Sequence, residues 1–115
     1  MCIASASTSD LIEVALHRCG ISEYFSDVLS CGMVGKGKEH PDIFLLAKEK
    51  LGENAEDICV FEDSLTAIKT ADALGMKTVG IYDKFNFGQE EIRKIAAEYI
   101  ANGESLTRLS LNNKI

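Results

Sequence analysis

Short apolar runs alternate along this chain with segments in which apolar residues recur every three or four positions. Met1 to Ala4 is a brief β-prone run. Ser7 to Cys19 then carries a helical stripe of Leu11, Ile12, Ala15 and Leu16. Serine or threonine at positions 7 to 9 can cap its start, and Gly20 can end it in a left-handed turn. Val28 to Cys31 predicts the next strand. Pro41 suits the first turn of a helix that Ile43, Phe44, Ala47 and Leu51 carry up to Gly52. Ile58 to Phe61 is continuously apolar, the pattern of a strand buried on both faces of a parallel sheet. A helix over Ser64 to Leu74 stopping at Gly75, a strand over Thr78 to Tyr82, a helix near Gln89 to Ala97 and an edge strand over Glu98 to Ala101 complete the series. Strands alternating with helices in this rhythm predict an α/β fold on a parallel sheet with covered faces. No internal repeat or low-complexity segment interrupts it.

The length of 115 residues suits a single domain, expected over 1–110, with 111–115 as a frayed tail. Twelve basic against eighteen acidic residues leave a net charge of -6, which argues against non-specific nucleic-acid binding, since that needs a basic face. The four cysteines, Cys2, Cys19, Cys31 and Cys59, form no C-x-x-C pair and fit no zinc module. They read as reduced thiols of a cytoplasmic protein. No basic-then-apolar leader opens the chain and no apolar run approaches the ~18 residues that span a bilayer, so no membrane role is expected.

Reactive side chains cluster where such a sheet would present them. Ligands of open parallel sheets gather beyond the carboxyl ends of the strands. Ser5 follows the first strand-like run. Lys38 closes the loop Gly32 to Lys38, which holds three glycines and two lysines. Glu62 and Asp63 end the run Ile58 to Phe61. A hydroxyl with backbone N–H groups at a helix start can bind phosphate oxygens. A lysine can neutralise a transferring phosphoryl group, and paired carboxylates offer the hard oxygens that Mg²⁺ prefers. Each group also has a plainer reading. Ser5 is then a polar strand end, Lys38 part of a solvated charged loop with Lys36 and Glu39, and Asp63 or Ser64 a helix cap. His40 reads as a surface or capping histidine, Ser64 and Thr66 as helix-start residues, and His17 is assigned nothing.

Taken in order, the segments resemble the haloacid dehalogenase superfamily, in its β-phosphoglucomutase and phosphoglycolate-phosphatase-like branch. Ile3-Ala4-Ser5-Ala6-Ser7 resembles the second family motif. Lys38 followed by Pro41-Asp42-Ile43-Phe44 resembles the third. Val60-Phe61-Glu62-Asp63-Ser64, with Ala67, Ala71, Gly75 and Met76, resembles the fourth. The likeness extends from about residue 1 to residue 110. It implies a Rossmann-like, three-layer parallel sheet and an enzyme acting on small phosphorylated metabolites with Mg²⁺. Ser5 and the backbone N–H of Ala6 would bind phosphate, with Ser7 as a further contact. Lys38 would bridge the phosphate and the nucleophile's carboxylate, as both catalytic and phosphate-binding residue. Asp63 would coordinate the metal, and Glu62 would ligate it directly or through water.

Two departures qualify the resemblance. Lys38 is followed by Glu39 where the third motif has proline, and the glutamate is expected to point outward. More seriously, the family's first motif supplies an aspartate nucleophile and, two residues on, an aspartate acid–base; no Asp-x-Asp occurs in this sequence. The cap domain that follows that motif in the family has no counterpart here either. The fold is therefore expected to be incomplete and the chain alone inactive. The strands bearing Ser5 and Glu62-Asp63 would pair directly, or accept a strand from another chain in a homodimer or strand exchange. The alternative is a non-catalytic remnant that binds phosphate or a protein. A receiver-type signalling domain, which also groups acids, a hydroxyl and a lysine, would place the acidic pair first and the lysine last.

Overall fold

Positive-φ glycines end two of the predicted helices where the apolar stripe runs out, and they set the punctuation of the fold. Gly20 (φ 70°) follows the first helix and Gly52 (φ 68°) the helix after Pro41. The Gly20 N–H donates to the His17 carbonyl and the Ile21 N–H to that of Leu16, which satisfies carbonyls the helix leaves open. The computed structural model describes residues 1–109. Their contacts divide the chain into two compact units, Met1–Glu53 and Asn54–Ile115. The expected tail at 111–115 lies outside the described residues.

The first unit contains β1 (Cys2–Ser5), α1 (Ser9–Cys19), β2 (Asp27–Ser30), α2 (Cys31–Val34) and α3 (Asp42–Leu51). β1 and β2 pair in parallel, from Cys2 opposite Asp27 to Ser5 opposite Ser30, with α1 as the crossover. α3 packs on both strands and α1 on β2. Leu16, Leu29, Ile43, Phe44 and Ala47 are the unit's buried apolar residues. The stripe expected on α1 is narrower than its sequence pattern. Leu16 is buried and Ile12 half-buried, but Ala15 is exposed and Leu11 is 67% exposed. A helix resting on a two-stranded sheet has one narrow line of support, and the neighbouring face meets none. Cys31, expected to end a strand, instead starts α2. Ser30 caps this short helix by accepting from the Gly32 N–H at 3.2 Å.

The second unit contains β3 (Cys59–Glu62), α4 (Leu65–Ala73), β4 (Lys77–Ile81), α5 (Gln89–Ile95) and β5 (Glu98–Ile100). All three strands are parallel, in the order β3-β4-β5. Leu65, Ile68, Ile92 and Tyr99 form a buried cluster, joined by Ile95, Ala96 and Ala101. The expectation that the run ending in Phe61 is buried on both faces is corrected. β3 is half-buried and Phe61 is 39% exposed, because β3 stands at the sheet edge. β4, flanked on both sides, buries Thr78, Val79 and Gly80. Gly80 has a steric reason: a Cβ there would run into Ile92 and lie 2.9 Å from a Tyr99 ring carbon.

Among the described residues, β1 pairs with β2 in the first unit, and β3 pairs with β4 in the second. No helix of the described residues is long and apolar enough to cross a membrane.

Candidate functional site

In the first unit, β1 ends at Ser5, and the chain turns through Ala6 and Ser7 before α1 begins. The Ser5 hydroxyl accepts from the Ser7 N–H at 3.0 Å, which pins the side chain to its own turn. A hydroxyl that accepts still carries a proton to donate. Ala6 and Ser7 are exposed and Ser5 is half-buried. Thr8 occupies the cap position of α1 without a side-chain capping bond. The predicted capping role of residues 7 to 9 therefore falls to backbone conformation, and Ser5 braces the turn instead.

Lys38 sits in the turn between α2 and α3, half-buried and engaged by neighbouring groups. The turn is closed by the His40 N–H donating to the Gly37 carbonyl at 3.1 Å. Glu39 points outward as expected: its side chain is 59% exposed, and one carboxylate oxygen lies 3.7 Å from His40 Nε2. Pro41 takes the cap position of α3 with helical angles (φ -75°, ψ -10°) and Asp42 opens the first turn. Proline here carries no N–H for a partner to satisfy, which lets a compact turn lead straight into the helix.

In the second unit, the acids occupy the turn from β3 into α4. Glu62 Oε1 accepts from the backbone N–H groups of both Asp63 (3.0 Å) and Ser64 (3.2 Å). Ser64 in turn caps α4 by accepting from the Ala67 N–H at 3.5 Å, so the capping reading holds for Ser64. The Asp63 carboxyl is pushed up from the ordinary 3.8 to about 6. The chief cause is its side-chain hydrogen bond with Glu62. Burial, the Glu62 charge and a hydrogen bond with the Asp83 side chain add to the rise, and a backbone hydrogen bond opposes it.

Asp83 and Asn86, which the sequence reading passed over, complete this surrounding. Asn86 Nδ2 donates to the Asp63 carbonyl at 3.1 Å and reaches Asp83 Oδ2 at 3.5 Å. Asp83 Oδ1 accepts from the Phe85 N–H at 2.9 Å. The signal was available: Asp83 lies two residues past the end of β4, at the carboxyl edge of the sheet where Glu62 ends β3.

Two neighbouring carboxyl groups offer hard oxygen ligands of the kind a divalent cation such as Mg²⁺ prefers. Among the described residues, no three His, Cys, Asp or Glu side chains gather into a group able to hold a metal. Glu62 and Asp63 supply two carboxylate ligands toward a Mg²⁺ shell and would need further ligands to complete it.

A serine turn after β1, a lysine turn before α3 and an acidic pair after β3 stand on parallel α/β units. The chain matches the family of haloacid dehalogenase-like hydrolases over residues 1–75 and belongs to it. It is 33% identical over 81 residues to the fructose-1-phosphate phosphatase of Escherichia coli K12, covering 70% of this chain and 43% of that enzyme. It is 30% identical over 95 residues to a phosphorylated carbohydrates phosphatase of Thermotoga maritima, covering 82% of this chain and 44% of the relative. Among solved structures, a β-phosphoglucomutase of Clostridium difficile superposes with a TM-score of 0.68 at 26% identity, over 88% of this chain and 43% of that one. The chain spans less than half the length of each.

Proposed function

We propose that this chain contributes the phosphate-binding and metal-binding groups of a Mg²⁺-dependent phosphatase or phosphomutase acting on small phosphorylated metabolites. The observation that carries this reading is the Glu62–Asp63 pair of carboxyl side chains, hydrogen-bonded to each other where β3 ends. Ser5 and the Ala6 N–H bind phosphate oxygens, with Ser7 beside them. Lys38 supplies the positive charge for the transferring phosphoryl group and the attacking carboxylate. Glu62 and Asp63 would hold Mg²⁺, which when bound offsets negative charge on the phosphoryl oxygens. The attacking aspartate must come from outside this sequence, which contains no Asp-x-Asp, so the 115 residues alone bind rather than turn over. Two phosphatases of sugar phosphates among the relatives support the substrate class. Four unpaired cysteines support a reducing, cytoplasmic setting, and the acidic net charge supports a role without nucleic acid.

A non-catalytic phosphate-binding role is the second reading, favoured by the same missing Asp-x-Asp. Supplying a segment that carries the family's Asp-x-Asp strand, fused or in trans, separates the two. The enzyme reading predicts hydrolysis of p-nitrophenyl phosphate that Lys38→Ala abolishes and Ser5→Ala lowers. Hydrolysis that ignores Lys38→Ala contradicts it, and reconstitution that binds phosphate without turnover favours the second reading.

A further inference from the structure

The loop between β4 and α5 is tied to the acidic turn by side-chain amides. Asn86 Nδ2 donates to the Asp63 carbonyl and reaches the Asp83 carboxylate, at 3.1 and 3.5 Å. Gln89, the first residue of α5, donates from Nε2 to the carbonyls of Asp83 (3.4 Å) and Asn86 (3.2 Å). Its other amide atom, Oε1, accepts from the Tyr99 hydroxyl. Tyr99 is only 8% exposed, and the Arg93 guanidinium covers its ring at 4.2 Å from the centroid. A continuous chain of hydrogen bonds thus leads from a buried ring in β5 to the backbone of Asp63, entirely within the second unit.

We propose that Asn86 is a positioning residue for the acidic pair, held in place by Gln89 and Tyr99. The residue types fit this task. A primary amide has two donor hydrogens and can serve a carbonyl and a carboxylate together, which a hydroxyl of similar reach cannot. The Asp63 carbonyl lies in the turn where β3 has ended and α4 has not begun, so no regular ladder holds it. Glu62 fixes the N–H side of the turn and Asn86 the C=O side. The same amide keeps Asp83 against its neighbours, so the anionic surroundings of Asp63 depend on it too. Tyr99 and Gln89 transmit the rigidity of the core to a loop whose Phe85 and Phe87 are more than four-fifths exposed and give it no apolar anchor. Partners of this outer kind orient the groups that touch a metal and commonly change metal affinity by about 10–100-fold.

This inference rests on the reading of Glu62 and Asp63 as cation ligands, and the test keeps the two apart. The full chain, labelled with ¹⁵N, is compared with Asn86→Leu, which keeps the size without the amide, and with Tyr99→Phe, which keeps the buried ring without the hydroxyl. Amide exchange at Asp63 and Ser64 is expected to accelerate in both variants, while Val79 in β4 keeps its rate. Mn²⁺ affinity, followed by the electron paramagnetic resonance of the free ion, is expected to fall about tenfold in Asn86→Leu. Unchanged exchange at Asp63 and Ser64 in both variants overturns the relay. Changed exchange with unchanged Mn²⁺ affinity overturns the positioning role. A wild-type chain that takes up no Mn²⁺ overturns the cation reading instead, and the exchange rates still decide whether the relay exists.

Discussion

Asp63 sits where a raised carboxyl has a measurable consequence. Its folded value of about 6 lies above the ordinary 3.8, so the folded chain holds that proton more tightly than the unfolded one. The resulting stabilisation is complete below about pH 4 and is lost as pH rises through about 6. Urea denaturation of the metal-free chain is expected to show this decline, and Asp63→Asn to remove it. A flat profile for the wild type contradicts the raised Asp63 carboxyl. Thr78 offers a separate test. Its hydroxyl is buried and lacks a hydrogen-bond partner, while its shape matches valine. Thr78→Val is expected to leave stability unchanged or raise it by up to about 1 kcal/mol, since an unsatisfied buried hydroxyl is costly; a clear loss in the denaturation midpoint would show that the hydroxyl has a role. Ser5, Lys38, Glu62 and Asp63 could be singled out from sequence because each adjoins a turn or strand end with local signals. Asn86 could not. Its bond to Asp63 spans 23 positions and leaves no local pattern.

Strand β4 and its neighbours show why the apolar pattern was informative about element type and less so about burial. A continuous apolar run marks a strand, but a run says nothing about whether another strand stands on each side. Among the described residues, β4 has two neighbours and β3 one, and their burial differs accordingly. The helices from Asp42 and Leu65 were readable from stripe, cap and terminal glycine together. The single turn of α2 was not, because four residues are too few to display a period. Two substitutions probe the packing. Gly80→Ala would press a methyl group into Ile92 and Tyr99 and is expected to cost about 1–3 kcal/mol in chemical denaturation. On α1, Leu16→Ala is expected to destabilise by about 2–5 kcal/mol, whereas Leu11→Ala, at an exposed position, should stay within about 0.5 kcal/mol. Equal losses at the two leucines would restore the broad stripe that the sequence suggested.

Among the described residues, each unit has its own sheet, with β1 paired to β2 in one and β3 at the edge of the order β3-β4-β5 in the other. The order of the motifs along the chain was enough to place it in its family, because each motif joins a strand end to the helix that follows. The pairing of strands was beyond that reasoning, since open backbone groups can be satisfied in more than one way. The functional account turns on the acids after β3. The most direct measurement is phosphate release by the chain reconstituted with an Asp-x-Asp segment, with Mg²⁺ and with EDTA, for the wild type and Asp63→Asn. The account predicts release by the wild type with Mg²⁺ alone, and near-background rates in the other three cases. Equal release in EDTA, or from Asp63→Asn, would contradict it.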